Sequence, residues 1–166
     1  MGGKQASLRE QYRNDGIFTA KKEECLHALG CSLYWAEGAK GPNCIMISNS
    51  DIYVLKTFIR FAKKYFDVSN QDFSYMIHSY TDLKTSEEIE QYWKTGLNLE
   101  GATRRKHNFL MGKYESKNNS DSLKGKSSYG TCYLYIKKST RIIQHIYGAI
   151  EYYGGGKMDR YGKHSD

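Results

Sequence analysis

One stretch of the chain combines residue types and spacing that could do chemistry: Leu29-Gly30-Cys31-Ser32-Leu33-Tyr34-Trp35-Ala36-Glu37-Gly38-Ala39-Lys40. Its pattern is helical and ends on an acid followed by glycine, with a lysine two residues further on. Ala28, Ser32 and Ala36 recur every four residues, so they share one helical face. Small side chains along such a seam let two backbones approach closely, and a copy of the same helix is a suitable partner. The two Glu37 carboxylates would then lie side by side. A bare surface acid is the alternative for Glu37. That alternative is opposed by the helix dipole, which disfavours negative charge at the C-terminal end unless a cation compensates.

The segment resembles the LAGLIDADG motif of the homing endonucleases. Ser32-Leu33-Tyr34-Trp35-Ala36-Glu37-Gly38 aligns with the last seven positions of that motif. The family's acid falls on Glu37 and its final glycine on Gly38. Glu37 stands where Asp is more usual, and Trp35 replaces the motif's inner acid. The run from Leu33 to Asp51 (LYWAEG…NSD) also resembles a bacterial and archaeal LAGLIDADG-like subgroup. The chain holds a single such motif, which in this family implies a homodimer with Ala28, Ser32 and Ala36 at the interface.

The resemblance implies an α/β (mixed α+β) fold with a small antiparallel DNA-reading sheet. It further implies a sequence-specific, metal-dependent endonuclease of double-stranded DNA. Glu37 and a main-chain carbonyl at Gly38 or Ala39 would hold Mg2+ (or Mn2+), a hard cation that takes oxygen ligands. Such an ion activates a water and relieves charge on the attacked phosphate. By its position alone, two residues after Gly38, Lys40 is a candidate for stabilising the scissile phosphate, with a solvated loop lysine as the equal alternative. Two other readings use the same surface: a DNA-binding regulator without cleavage, and an RNA-binding intron maturase. Only ten residues separate Gly38 from Asn49, so the hairpin that usually follows the motif must be very short.

Charge points to a polyanion. The net charge is +7, yet residues 1–100 carry 12 basic against 13 acidic side chains, so the whole excess lies beyond residue 100. Arg104, Arg105, Lys106 and the lysines at 113, 117, 124 and 126 are candidate phosphate contacts, which position a duplex without reading its sequence. Cys132, Leu134 and Ile136 alternate with Tyr133, Tyr135 and Lys137, the signature of a half-buried strand. An outward row of Tyr133, Tyr135 and Lys137 suits entry of a β-ribbon into the major groove. Ser74, His78 and Tyr80 would be presented similarly from a strand over 73–80. All of these are equally compatible with ordinary solvent-facing positions.

Other chemistries find no support. The four cysteines form no CxxC pair, so neither a zinc site nor a disulfide framework is expected. The five histidines lack paired metal spacing, and no phosphate-loop motif suggests a nucleotide cofactor. The start lacks the apolar run of a signal peptide and no stretch is apolar enough to span a membrane. A cytoplasmic or nucleoid-associated protein is expected.

These groups need elements to position them. Residues 1–20 are polar, weakly patterned and interrupted by Gly16, and read as an N-terminal extension. One domain is expected over 21–153. A helix starts at Lys21 with Glu23-Glu24 in its first turn and stops at Gly38, and Cys44–Ile47 is a short strand. Ile52, Leu55, Phe58, Ile59, Ala62 and Phe66 repeat at helical spacing behind a cap at 49–51. Thr85 with Glu88 predicts a capping box opening a helix over 86–97. A flexible basic loop is expected over 113–128, a last helix from Ser139 or Thr140 to the glycines at 154–156, and a mobile tail over 154–166.

Overall fold

A computed structural model describes residues 2–81, 83–110, 127–159 and 163. Five helices and a five-stranded sheet follow in the order α1 (Gly2–Ala20), α2 (Cys25–Glu37), β1 (Ile45–Asn49), α3 (Ile52–Phe66), β2 (Phe73–Tyr80), α4 (Ser86–Leu97), β3 (Thr103–Arg104), β4 (Asn108–Leu110), β5 (Thr131–Ile136) and α5 (Thr140–Gly154). The architecture is mixed α and β.

The sheet runs β1-β5-β2, with β3 and β4 both against the far edge of β2. β5 is antiparallel to β1 and β2, but β3 and β4 are parallel to β2. The sheet is therefore mixed, where the family resemblance implied an antiparallel one. The reason is α4, which carries the chain back between β2 and β3 as the crossover that parallel pairing requires. Its N-terminus is the expected capping box, with Thr85 and Glu88 exchanging both hydrogen bonds.

Burial alternates along β5 and fixes which side of the sheet is covered. Ile45, Ile47, Phe73, Tyr75, Ile77, Cys132, Leu134 and Ile136 join one hydrophobic core with Leu55, Phe58 and Phe61 of α3, Trp93 of α4 and Ile143 and Ile146 of α5. The other side carries Met46, Ser48, Met76, His78, Tyr133 and Tyr135, all half-buried. Asp51 caps α3 by accepting from the Tyr53 amide at 2.8 Å, so the expected cap and apolar stripe both form.

The chain's first twenty residues depart most from expectation. They are not an extension but the 19-residue helix α1, packed along α5. Gly16 does not break this helix; it marks the crossing point. A Cβ on Gly16 would collide with the His145 carbonyl, and one on Gly148 with the Arg13 backbone. Arg13 then ties the pair to the chain's end: its Nε donates to Gln144 Oε1 at 3.0 Å and its Nη1 to Glu151 Oε1 at 2.6 Å. Its Nη2 donates to the Asp159 carbonyl at 2.8 Å. Met158 is buried, so the described part of the tail is fastened to the fold at that residue, while Lys157 and Asp159 beside it are exposed.

An alanine at a plain helical glycine stabilises by up to about 1 kcal/mol. At this crossing the sign should reverse. Gly148→Ala is expected to destabilise by roughly 1–3 kcal/mol, because the obstructing atoms are backbone and cannot swing aside. Urea unfolding midpoints decide it, and a midpoint equal to or above wild type would remove the close crossing.

Glu23 and Glu24 also sit differently from the expected first helical turn. The helix begins only at Cys25, Glu23 adopts a left-handed conformation, and Glu24 reaches across to α3. There it accepts from Lys64 Nζ at 2.9 Å and from the Tyr65 hydroxyl, which together hold its carboxyl below the usual range. The lysines at 113, 117, 124 and 126, with most of the loop expected over 113–128, lie outside the described residues.

Candidate functional site

Glu37 is the last residue of α2 and is exposed. Gly38 forms a bridge with Ile47, and the Ala39 amide donates to the Met46 carbonyl at 2.8 Å. This is the very short hairpin that ten residues allow. It fastens the end of the motif helix to β1, the outer strand of the sheet. The close approach needs Gly38 itself, since a Cβ there would run into Tyr34. Tyr34 is fully buried, and its hydroxyl donates to the Ala39 carbonyl at 2.5 Å.

Lys40 is drawn onto the helix end. Its Nζ donates to the carbonyls of Gly38 at 2.9 Å, Tyr34 at 3.4 Å and Trp35. An ammonium has three donors, and these carbonyls engage all of them. Lys40 thus caps α2 in this arrangement, where its position two residues past the motif glycine had suggested a scissile phosphate or a solvated loop. Desolvation pulls its pKa below the ordinary lysine value, with Glu37 pulling the other way. The same geometry answers the dipole problem raised by Glu37, because a cation sits at the negative end of the helix.

A hard divalent cation takes oxygen ligands such as the exposed Glu37 carboxylate. The main-chain oxygens at this end, however, converge on the Lys40 ammonium, which such an ion would have to displace from the Gly38 carbonyl. Among the described residues no three His, Cys, Asp or Glu side chains gather in one place.

Along α2, Cys25, Leu29, Ser32 and Ala36 are exposed and Ala28 is half-buried. These positions form a stripe of apolar and small side chains at helical spacing. Leu29 keeps 49% of its surface in solvent and Trp35 37%. The opposite side of α2 is fully committed. Gly30 lies against the Phe61 ring of α3, and His27, Cys31 and Tyr34 are buried.

The residues expected to meet nucleic acid divide into two groups. Tyr133, Tyr135 and His78 lie on the open side of the sheet, and Lys137 continues it from the end of β5. Tyr135 pairs across strands with Met46 and Ser74, and Tyr133 with Ser48 and Met76. Arg105 lies over them, its guanidinium carbon 3.8 Å from the centre of the Tyr135 ring. Its Nε donates to Ser74 Oγ at 3.1 Å. Ser74 is consequently fully buried, a correction to its expected outward presentation: it is roofed by Arg105 and serves as an anchor. Lys137 Nζ donates to Thr103 Oγ1 at 3.4 Å, and Lys106 is exposed.

Arg104 belongs elsewhere. It is paired in register with Tyr75, on the helix side of the sheet, and binds Glu90 of α4 through Nε at 2.7 Å and Nη2 at 2.9 Å. This two-point grip holds the Glu90 carboxyl below its usual range. Arg104 is a structural ion pair and leaves the candidate interface. Strand parity holds the signal that separates it from Arg105: adjacent residues of an extended chain face opposite sides.

No protein-family model matches the chain, and neither a curated protein nor a solved structure is similar enough to count as a match. Among the described residues, no helix is long and apolar enough to cross a membrane.

Proposed function

We propose that this chain is a metal-dependent endonuclease of double-stranded DNA that acts as a homodimer, in the manner of the LAGLIDADG proteins whose motif it resembles. The observation that carries the reading is one juxtaposition. A lone acid ends an exposed small-residue helix face, and the Gly38–Ile47 bridge fastens that end beside an open sheet bearing aromatic and basic side chains. Pairing of two α2 helices would cover Leu29, Ser32 and Ala36 and bring two Glu37 carboxylates together. Glu37 and the Gly38 carbonyl would hold Mg2+, which when bound activates a water and relieves phosphate charge. The chain's own part is to orient the duplex on the open sheet and to hold each acid at the dimer axis.

A DNA-binding regulator that does not cut is the second reading, and one observation favours it. Lys40 already neutralises the helix end, so the carbonyls have a cation without metal. Selection from random duplex DNA in Mg2+ and in Ca2+ separates the two. A long, two-fold symmetric site that is cut in Mg2+ supports the endonuclease. A bound site left intact in both ions moves the assignment to the regulator, and recovery of structured RNA in its place supports a maturase.

The dimer has its own test. The 19.1 kDa chain is expected to sediment at twice that mass at micromolar concentration, and Leu29→Lys to sediment as a monomer. Placing two ammonium groups in a closely packed seam costs several kcal/mol, enough to dissociate most dimers. A Leu29→Lys dimer of unchanged mass would place the interface on another surface.

A further inference from the structure

We infer that Arg105 is a specificity-determining residue that reads a guanine in the major groove, an inference that rests on the duplex-DNA reading above. A phosphate contact needs only a mobile positive charge, which a surface lysine supplies as well as an arginine. Arg105 is built differently. Its main-chain amide donates to the Tyr75 carbonyl at 2.9 Å, which fixes the start of the side chain against β2. Its guanidinium carbon sits over the Tyr135 ring, 3.8 Å from the ring centre, and its Nε donates to Ser74 Oγ at 3.1 Å. That serine is completely buried, so its hydroxyl is a fixed point rather than a solvent-exposed partner.

These three restraints act on different parts of the side chain. Among the described residues neither terminal nitrogen, Nη1 nor Nη2, has a hydrogen-bond partner, so both donors of the fork remain for a ligand. Two parallel N–H donors match the adjacent O6 and N7 acceptors of guanine, a pattern no other base edge shows in the major groove. Arginine's rotamer entropy is the usual cost of such a contact, and the stack on Tyr135 meets it in advance. Lysine at this position would keep the charge but lose the stack, the serine bond and the paired donors.

Neighbouring groups set the frame. Lys137 is tethered to Thr103, and Arg104, one residue away, is held by Glu90 on the other side of the sheet. The two basic neighbours in sequence thus have separate tasks. Arg104 braces β3 against α4, and Arg105 addresses the ligand. In a homodimer one such residue per subunit places two guanines in symmetric positions, one in each half-site.

The test is selection from random duplex DNA in Ca2+ with wild type, Arg105→Lys and Ser74→Ala, followed by affinities for single-base variants of the recovered site. Wild type is expected to prefer guanine at one symmetric pair of positions by about tenfold or more. Arg105→Lys should abolish that preference while leaving preferences at other positions intact, and Ser74→Ala should weaken it several-fold. A recovered site whose base preferences are the same in Arg105→Lys overturns the inference and leaves the duplex reading standing. So does an Arg105→Gln variant that changes only the slope of affinity against salt, the mark of a phosphate contact. Recovery of no selected duplex by wild type overturns both. Thermal melts of the three variants within a few degrees of wild type establish that the comparison is between folded proteins.

Discussion

Glu37→Gln is expected to bind duplex DNA as tightly as wild type and to cut it about a thousandfold more slowly or not at all. Glutamine keeps the size and helical preference of glutamate but removes the charge that a divalent ion requires. Loss of metal-assisted catalysis removes several kcal/mol of transition-state stabilisation, and each 1.4 kcal/mol or so is a factor of ten in rate. Glu37 is exposed and its attraction for Lys40 is open to solvent, so glutamine should leave the fold intact. Stability should stay within a few tenths of a kcal/mol of wild type, since glutamine relieves the opposition to the α2 dipole but gives up the attraction for Lys40. Lost cutting with unchanged stability would assign the carboxylate to the reaction rather than to the fold. Cleavage of the selected site in Mg2+ and urea unfolding, measured on one preparation, read both. Undiminished cutting by Glu37→Gln would remove this acid from the metal site and with it the argument from the motif.

The helices and strands that bury an apolar face were legible in the sequence because hydropathy reports burial directly. Helix α3 shows six of its seven buried positions, all but Phe61, in the stripe read from the sequence, and β5 alternates as a half-covered strand must. Helix α1 was not legible for the same physical reason. Its partly or fully buried positions are Arg9, Tyr12, Arg13, Gly16, Ile17, Thr19 and Ala20, and the two that are fully buried, Gly16 and Ala20, are small. Close backbone approach and an arginine network hold it, and neither has a hydropathy signature. The glycine that looked like a helix breaker is there because α5 passes too near for any side chain.

The candidate site was legible in part. Residue types and the motif pointed to Glu37, and alternation put Tyr133 and Tyr135 on one side of a strand. What stayed hidden was partner choice. Arg104, Arg105 and Lys106 look alike as a basic run, but one is bound to Glu90, one stacked on Tyr135 and one exposed. Sequence spacing cannot tell that Ser74, thirty-one residues before Arg105, lies beneath it, because the parallel β2–β3 pairing that brings them together depends on the α4 crossover. Lys40 is a similar case. Its charge suggested a phosphate, whereas the nearest unsatisfied acceptors are the last carbonyls of the helix it follows.

Acidification is the other large lever, and it acts beneath the motif helix. His27 of α2 and His145 of α5 are both buried, with their Nε2 atoms 2.9 Å apart, so one nitrogen donates and the other accepts. The Tyr153 hydroxyl lies 3.2 Å from His27 Nδ1, and the rings of Phe61, Tyr65 and Phe66 close the site from α3. Such a pair accommodates neutral rings and resists a second proton. Burial, the neighbouring His27 and then Arg141 push the His145 pKa down to about 4, and burial lowers His27 against a weak opposing pull from Glu24. Unfolded histidine titrates near 6.5, so the contribution to stability is complete above that pH, declines as the pH falls below it, and is lost by about pH 4. A shift of this size corresponds to about 3 kcal/mol. Wild type is therefore expected to lose about that much more stability between pH 7 and pH 4 than His145→Gln, which keeps a hydrogen-bonding group near the Nε2 position but cannot be charged. Urea unfolding at the two pH values gives the difference directly. An equal loss in both proteins would mean that the imidazole pair takes up its proton without leaving the core.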